Sequence, residues 1–309
     1  MTIWRTLTFA ALAAFGLAAG AAECPPPAPT PSPAQLAAAA RQDRGVLWRI
    51  ERDGRVSHLY GTLHVGKAEW VQPGPAVRAA LAASDVVALE IDPADPALGE
   101  LAAPAGGAAP LPPALQARLA RATAAACLPE AALAALPPTL QGVVLTLMEA
   151  RWLGLDPALA QEQALAHQAR AAGRPLVALE TVALQKQVLV PADPAEAETA
   201  LAGTLDEIES GRGRAVLERL AVAWAAGDLA TLERYEEWCG CVDGADARAA
   251  MRALNDDRNP AMAARIDTLH REGKRVFAAV GALHMTGPQG LPKLLAERGF
   301  AVQRIGPPR

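Results

Sequence analysis

Two histidines and two glutamates occupy matching places in this sequence. Gly61-Thr62-Leu63-His64 and Gly281-Ala282-Leu283-His284 repeat one Gly-x-x-His spacing in distant parts of the chain. Each follows a short apolar, partly β-branched run, 55–61 and 276–280, which reads as a buried strand. Glu90 lies near the end of a third such run, 85–91, and Glu180 near the end of a fourth, 175–181. In open α/β sheets, ligands bind beyond the carboxyl ends of the strands. Two imidazoles and two carboxylates there form the nitrogen and oxygen ligand set of a divalent ion. Either carboxylate could instead act as general base towards an activated water. Alone, any one of the four reads as a loop histidine or a solvated glutamate. Their shared topological position is what points to a site. His58, inside a strand run, and His167 and His270, inside helical stretches, read as structural.

Arg258-Asn259-Pro260 adds a fifth element. Asparagine before proline predicts a helix N-terminus with Asn259 as its cap, the helix running to about residue 270. Free backbone N–H groups and the Arg258 guanidinium would there seat a carboxylate or an oxyanion. The plainer reading is a capped helix with an ion pair from Arg258 to Asp256 or Asp257.

These residues need a scaffold, and the order of elements predicts one. Runs 46–51 and 55–61 flank Asp53-Gly54, a hairpin signal. Helix 75–83 precedes strand 85–91. An alanine- and leucine-rich insertion at about 97–172 reads as helices 112–122, 129–136, 138–153 and 157–172. After strand 175–181, the stretch 194–227 reads as helical, with Asp228 capping a further helix 229–238. Strand 276–280, helix 289–298 and strand 301–305 close the chain. The alternation predicts an α/β fold: a mostly parallel mixed central sheet, flanking helices and a helical insertion. Gly61 and Gly281 would let the backbone turn closely beneath the site.

Residues 1–22 read as a cleavable export signal, with Arg5 before an apolar stretch 7–17 and small residues at 19–22. Six prolines between Cys24 and Pro33 make an extended linker, part of a region 23–45 that also holds a short helix at 35–42. One domain then occupies 46–309. The net charge of −4 becomes −5 once Arg5 leaves with the signal, which argues against a nucleic-acid footprint. No later stretch reads as a transmembrane segment, so a periplasmic or secreted protein is expected. Four cysteines in an exported chain predict disulfides, with Cys127 joined to Cys239 or Cys241. Cys239-Gly240-Cys241 could be half a zinc site, but it has no nearby partner pair.

At the same residues the chain resembles a known family. Tyr60-Gly61-Thr62-Leu63-His64-Val65-Gly66, Leu89-Glu90, Leu179-Glu180-Thr181, Asp257-Arg258-Asn259 and Val280-Gly281-Ala282-Leu283-His284 look like the TraB/GumN family, relatives of the Tiki proteases. Trp224-Ala225-Ala226-Gly227-Asp228-Leu229 fits a further family signature. The resemblance implies a fold similar to the erythromycin-esterase and ChaN group. It also implies a metal-dependent hydrolase, peptidase-like, acting on a peptide or protein substrate. His64, His284, Glu90 and Glu180 would hold a divalent Mn, Co or Zn ion, with Glu90, Glu180, Arg258 and Asn259 in the catalytic machinery. The fold also admits a haem-type binding module or a metal-free His/Glu hydrolase.

Overall fold

The strand at Val276–Gly281 is the axis of the molecule, and residues 276–280 have no exposed surface. A run apolar on both faces must be covered on both sides, which suits an interior strand of a parallel sheet. The computed structural model describes residues 24–102 and 110–306; the export signal expected at 1–22 lies outside them. Among the described residues, six strands form one sheet: β1 Val46–Arg52, β2 Arg55–Thr62, β3 Val86–Leu89, β4 Leu176–Ala178, β5 Val276–Gly281 and β6 Ala301–Ile305. Their order is β4-β3-β5-β2-β1-β6. β4, β3, β5 and β2 run parallel, and β1 and β6 add an antiparallel edge. The carboxyl ends of the four parallel strands therefore share one edge, the edge that carries His64, Glu90, Glu180 and His284. Asp53 and Gly54 both take positive φ at the β1–β2 turn, the conformation that matches strand twist in a tight hairpin.

Helices cover the sheet as the α/β pattern predicts, with differences in detail. The stretch 194–227 is two helices, Pro194–Ser210 and Arg212–Ala225, because Gly211 turns left-handed between them. The expected helix 129–136 shrinks to a single turn, Glu130–Ala132, hemmed in by Pro129 and the Pro137-Pro138 pair. Two helices without a strong sequence signal are present, Val182–Leu189 and Ala245–Leu254. A second apolar cluster joins Leu115 and Leu119 of helix Pro113–Ala125 to Leu145 and to Leu201 and Leu205 of Pro194–Ser210. Among the described residues, no helix is long and apolar enough to cross a membrane.

The cysteines are paired, but not as expected: Cys24 joins Cys127 and Cys239 joins Cys241. Gly240 takes φ +62°, which folds the chain back and brings the Cys239 and Cys241 Cα atoms to 5.1 Å. That leaves Cys127 for Cys24, a bridge that ties the proline-rich amino-terminal stretch to the helices of the insertion. Closing a loop of about a hundred residues restricts the unfolded chain far more than closing one of three. Denatured, unreduced protein should therefore show no free thiol. Removing the Cys24–Cys127 bridge by serine substitution should cost about 4–5 kcal/mol, against about 1–2 for the Cys239–Cys241 bridge, as read from urea denaturation.

Candidate functional site

Backbone pairing places the two glutamates side by side. The β3–β4 ladder runs past both strands, with Leu179 N–H donating to Leu89 O at 2.8 Å and Glu180 N–H to Glu90 O at 3.0 Å. Both residues lie just past the paired strands, where Leu89 stands opposite Ala178; the bond from Glu180 N–H to Glu90 O holds their backbones together, and both residues are buried. Two buried like charges need a cation between them. Arg258 supplies it. Its Nε donates to Glu180 Oε1 at 2.8 Å, one terminal nitrogen donates to Glu90 Oε2 at 2.6 Å and to Glu180 Oε2, and the other reaches Leu254 O at 2.8 Å. Gln185 Nε2 adds a contact to Glu180 Oε2 at 3.3 Å. Of the two sequence readings of Arg258, a seat for a carboxylate and a surface ion pair to Asp256 or Asp257, the first describes its contacts.

His284 is buried at the end of β5. Its Nδ1 lies 2.7 Å from Asn259 Oδ1, and Asn259 Nδ2 donates to Gln289 O at 2.9 Å. The second bond fixes the amide, so the amide oxygen accepts from an Nδ1–H and the Nε2 lone pair faces the site. Nε2 is 3.4 Å from Arg258 and 3.8 Å from Glu90 Oε1. Burial lowers the His284 pKa, aided by Arg258, against the pull of Glu90; the ring is neutral near pH 7. Asn259 is therefore not the expected helix cap. The preceding turn Asp256–Arg258 and Pro260 already close the helix Asn259–Arg271, with Arg258 at the cap position, which frees the Asn259 side chain for His284.

His64 sits at the mouth of the same cleft, its side chain 57% exposed. Its Nδ1 is 3.1 Å from Glu162 Oε1, which also accepts from the Thr62 hydroxyl. The Glu162 carboxylate raises the His64 pKa to about 9. Burial would push Glu162 up, but the charge of His64 and hydrogen bonds from His64 and Thr62 hold it below the usual carboxylate range. Burial likewise opposes ionisation of Glu90, yet His284, His64, Arg258 and the Gly281 N–H, 2.7 Å from Oε1, hold its pKa at about 2. Glu162 escapes a sequence reading because nothing distinguishes it from the other polar residues of helix Gln161–Ala171.

The common centre lies over Gly281. A methyl group added there would meet Glu90 Oε1 at 3.4 Å, the His284 ring at 3.5 Å and His64 Nε2 at 3.6 Å. Three chemically active side chains therefore surround one point, and the bare glycine leaves that point open. Gly61 meets a stricter demand: a Cβ would sit 2.7 Å from Val46 and 3.0 Å from the Ala282 backbone. Trp224, fully buried, donates from its indole to Gly61 O at 2.8 Å and so braces the end of β2. A cleft of about 230 Å³ opens over Gly281, walled by His64, Arg258, His284 and several apolar side chains. That is below the roughly 300–1,000 Å³ of sites that enclose a drug-sized ligand. Among the described residues, no three of His, Cys, Asp and Glu close around an ion at ligand distance as they stand.

Residues 46–304 match the TraB/PrgY/gumN family, nearly the whole length of the chain. No curated protein and no solved structure matches it.

Removing the cation from between Glu90 and Glu180 tests the clamp. Arg258→Gln should destabilise the protein by about 3–5 kcal/mol at pH 7. One of the paired carboxyls would then have a folded pKa above its unfolded value, so the deficit should narrow as pH falls towards 5 and that carboxyl takes up a proton. Urea denaturation at both pH values reads this. An unchanged stability, or a deficit independent of pH, would contradict the role assigned to Arg258.

Proposed function

The chain belongs to the TraB/PrgY/gumN family, and from that premise we propose that it is an exported, metal-dependent hydrolase acting on peptide bonds. The observation that carries the reading is the tethering of both histidines at Nδ1. His64 is tied to the Glu162 carboxylate and His284 to the Asn259 amide oxygen. Histidines that bind metals almost always donate their other ring nitrogen in this way, which fixes the tautomer and aims Nε2. His64 Nε2, once it gives up its proton, would join His284 Nε2 and Glu90 Oε1 in a nitrogen and oxygen donor set suited to Mn, Co or Zn. Glu180 has both oxygens engaged by Arg258, so we place it outside the ligand set, where it orients the guanidinium.

A divalent ion held there would lower the pKa of a water and polarise the scissile carbonyl. The chain's own residues do the rest. Arg258, fixed by two carboxylates, presents positive charge to the oxygen that becomes anionic as the carbonyl is attacked. Glu90, held ionised, suits a ligand better than a general base. Thr62 and Glu162 keep the His64 ring from turning. The backbone at Gly281 leaves room for the reacting carbon.

A metal-free hydrolase is the second reading, and one observation favours it: Arg258 already supplies a cation to both carboxylates. In that case His64, oriented by Glu162 and open to solvent, would move the proton.

Thermal melting with Mn²⁺, Co²⁺ or Zn²⁺ separates the two. At an ion concentration a hundred times the dissociation constant, binding should add about 2.7 kcal/mol of stability. His64→Ala and His284→Ala should abolish that gain with the metal-free fold intact, and Glu162→Gln should weaken affinity by about 10–100-fold. Cleavage of a peptide library should require the same ion. If no ion raises the melting temperature and peptides are still cut, the metal-free reading replaces this one.

A further inference from the structure

The helix Ala245–Leu254 buries none of its residues, although Ala247, Met251 and Leu254 line up on one face. Met251 is only half-buried, and Leu254 is 44% exposed, one of three large apolar side chains left open among the described residues. Its position gives the reason. Met251 and Leu254 form a wall of the cleft over Gly281, facing Leu63, Leu220, Tyr235 and Leu283. His64, Arg258 and His284 line the same cavity, so the apolar surface is continuous with the proposed reaction centre. Beyond Tyr235, Met251 and Leu283 the cleft opens into a second cavity of about 350 Å³. Its walls carry charges of both signs, Glu233, Glu236 and Glu237 with Arg234, Arg248 and Arg252.

We propose that the apolar pocket under helix Ala245–Leu254 is a specificity site for one bulky apolar side chain, of the leucine or phenylalanine kind, on an extended peptide whose neighbouring backbone lies at Gly281. The pocket beside the centre accepts an apolar group and has room for one. The mixed-charge groove that follows would oppose a long acyl chain but suits the alternating polar backbone and side chains of a peptide. This rests on the hydrolase reading for the identity of the ligand, while the pocket itself can be tested by binding alone.

The test uses uncharged-backbone hexapeptides of one sequence with Leu, Phe, Ser or Asp at the central position. They are titrated into protein kept in chelator and carrying isotope-labelled methionine methyl groups. The Leu and Phe peptides should shift the Met251 resonance and bind at least about ten-fold tighter than the Ser and Asp peptides, the advantage expected from burying one such side chain. Met251→Asp, at a half-exposed position that should leave the melting temperature nearly unchanged, should erase that preference. Met251→Leu should keep it. Equal affinity for all four peptides, or a preference that survives both Met251→Asp and Leu220→Asp, would overturn the proposal. So would a concentration-dependent dimer broken by Met251→Asp, which would assign the face to a second copy of the chain. Leu preference without cleavage in Mn²⁺, Co²⁺ or Zn²⁺ would keep the pocket and remove the hydrolase; cleavage indifferent to the central residue would do the reverse.

Discussion

A single guanidinium lies between two buried carboxylates, and the carboxyl edge of the sheet is built to make that possible. Glu90 and Glu180 are neighbours because each follows directly on one of the paired strands β3 and β4, where Glu180 N–H bonds Glu90 O. Without Arg258 their repulsion and desolvation would be a severe penalty at the end of a strand pair. Arg258 comes from a different part of the chain, the turn before helix Asn259–Arg271, so its bonds also fix where that helix begins. The helix start in turn places Asn259 against His284 at the end of β5. Three neighbouring strands and one helix are thereby referred to one charge.

A second set of contacts controls the aim of the histidines rather than their position. Strand ends fix the backbone at His64 and His284, but a ring can still turn about its own bonds. Glu162, on helix Gln161–Ala171, and Asn259 remove that freedom by binding Nδ1 on each ring. They leave the two rings in different electrical states. His64 stands in the field of Glu162 near solvent and is raised to about 9, whereas His284 is buried beside Arg258 and lowered. The pair is alike in sequence spacing and unlike in chemistry because one lies at the mouth of the cleft and the other at its floor.

Around this centre the structure is less tightly held. The wall formed by Tyr235, Met251 and Leu254 belongs to short helices on either side of the Cys239–Cys241 bridge. Those helices bury little of their own surface. Rigid strands therefore carry the groups that must be placed closely, and the more loosely packed segment lines the space beside them. Such a division is common where a fixed centre has to admit a chain-like ligand.

Local sequence determined the strands, their ends and the chemistry at those ends. A continuous apolar run as short as 276–280, closed by Gly281, reads as an interior strand, and the Gly-x-x-His spacing after it puts the histidine just beyond the strand end. Asp53-Gly54 specified its hairpin for the same reason: the backbone angles it needs are local. Partnership was decided elsewhere. Asn259 looks like a helix cap to any reader of Asn-Pro, yet its amide is spent on a histidine 25 residues away in sequence. Arg258 has acidic neighbours at Asp256 and Asp257, yet it bonds glutamates just past the ends of two distant strands. Glu162 carries no sequence mark at all, and the cysteines pair through a left-handed Gly240 that spacing alone did not reveal. For Asn259, Arg258 and Glu162 the deciding factor is the desolvation of a polar group in a buried place, and which polar groups meet there depends on strand order β4-β3-β5-β2, a property of the folded chain and of no segment within it.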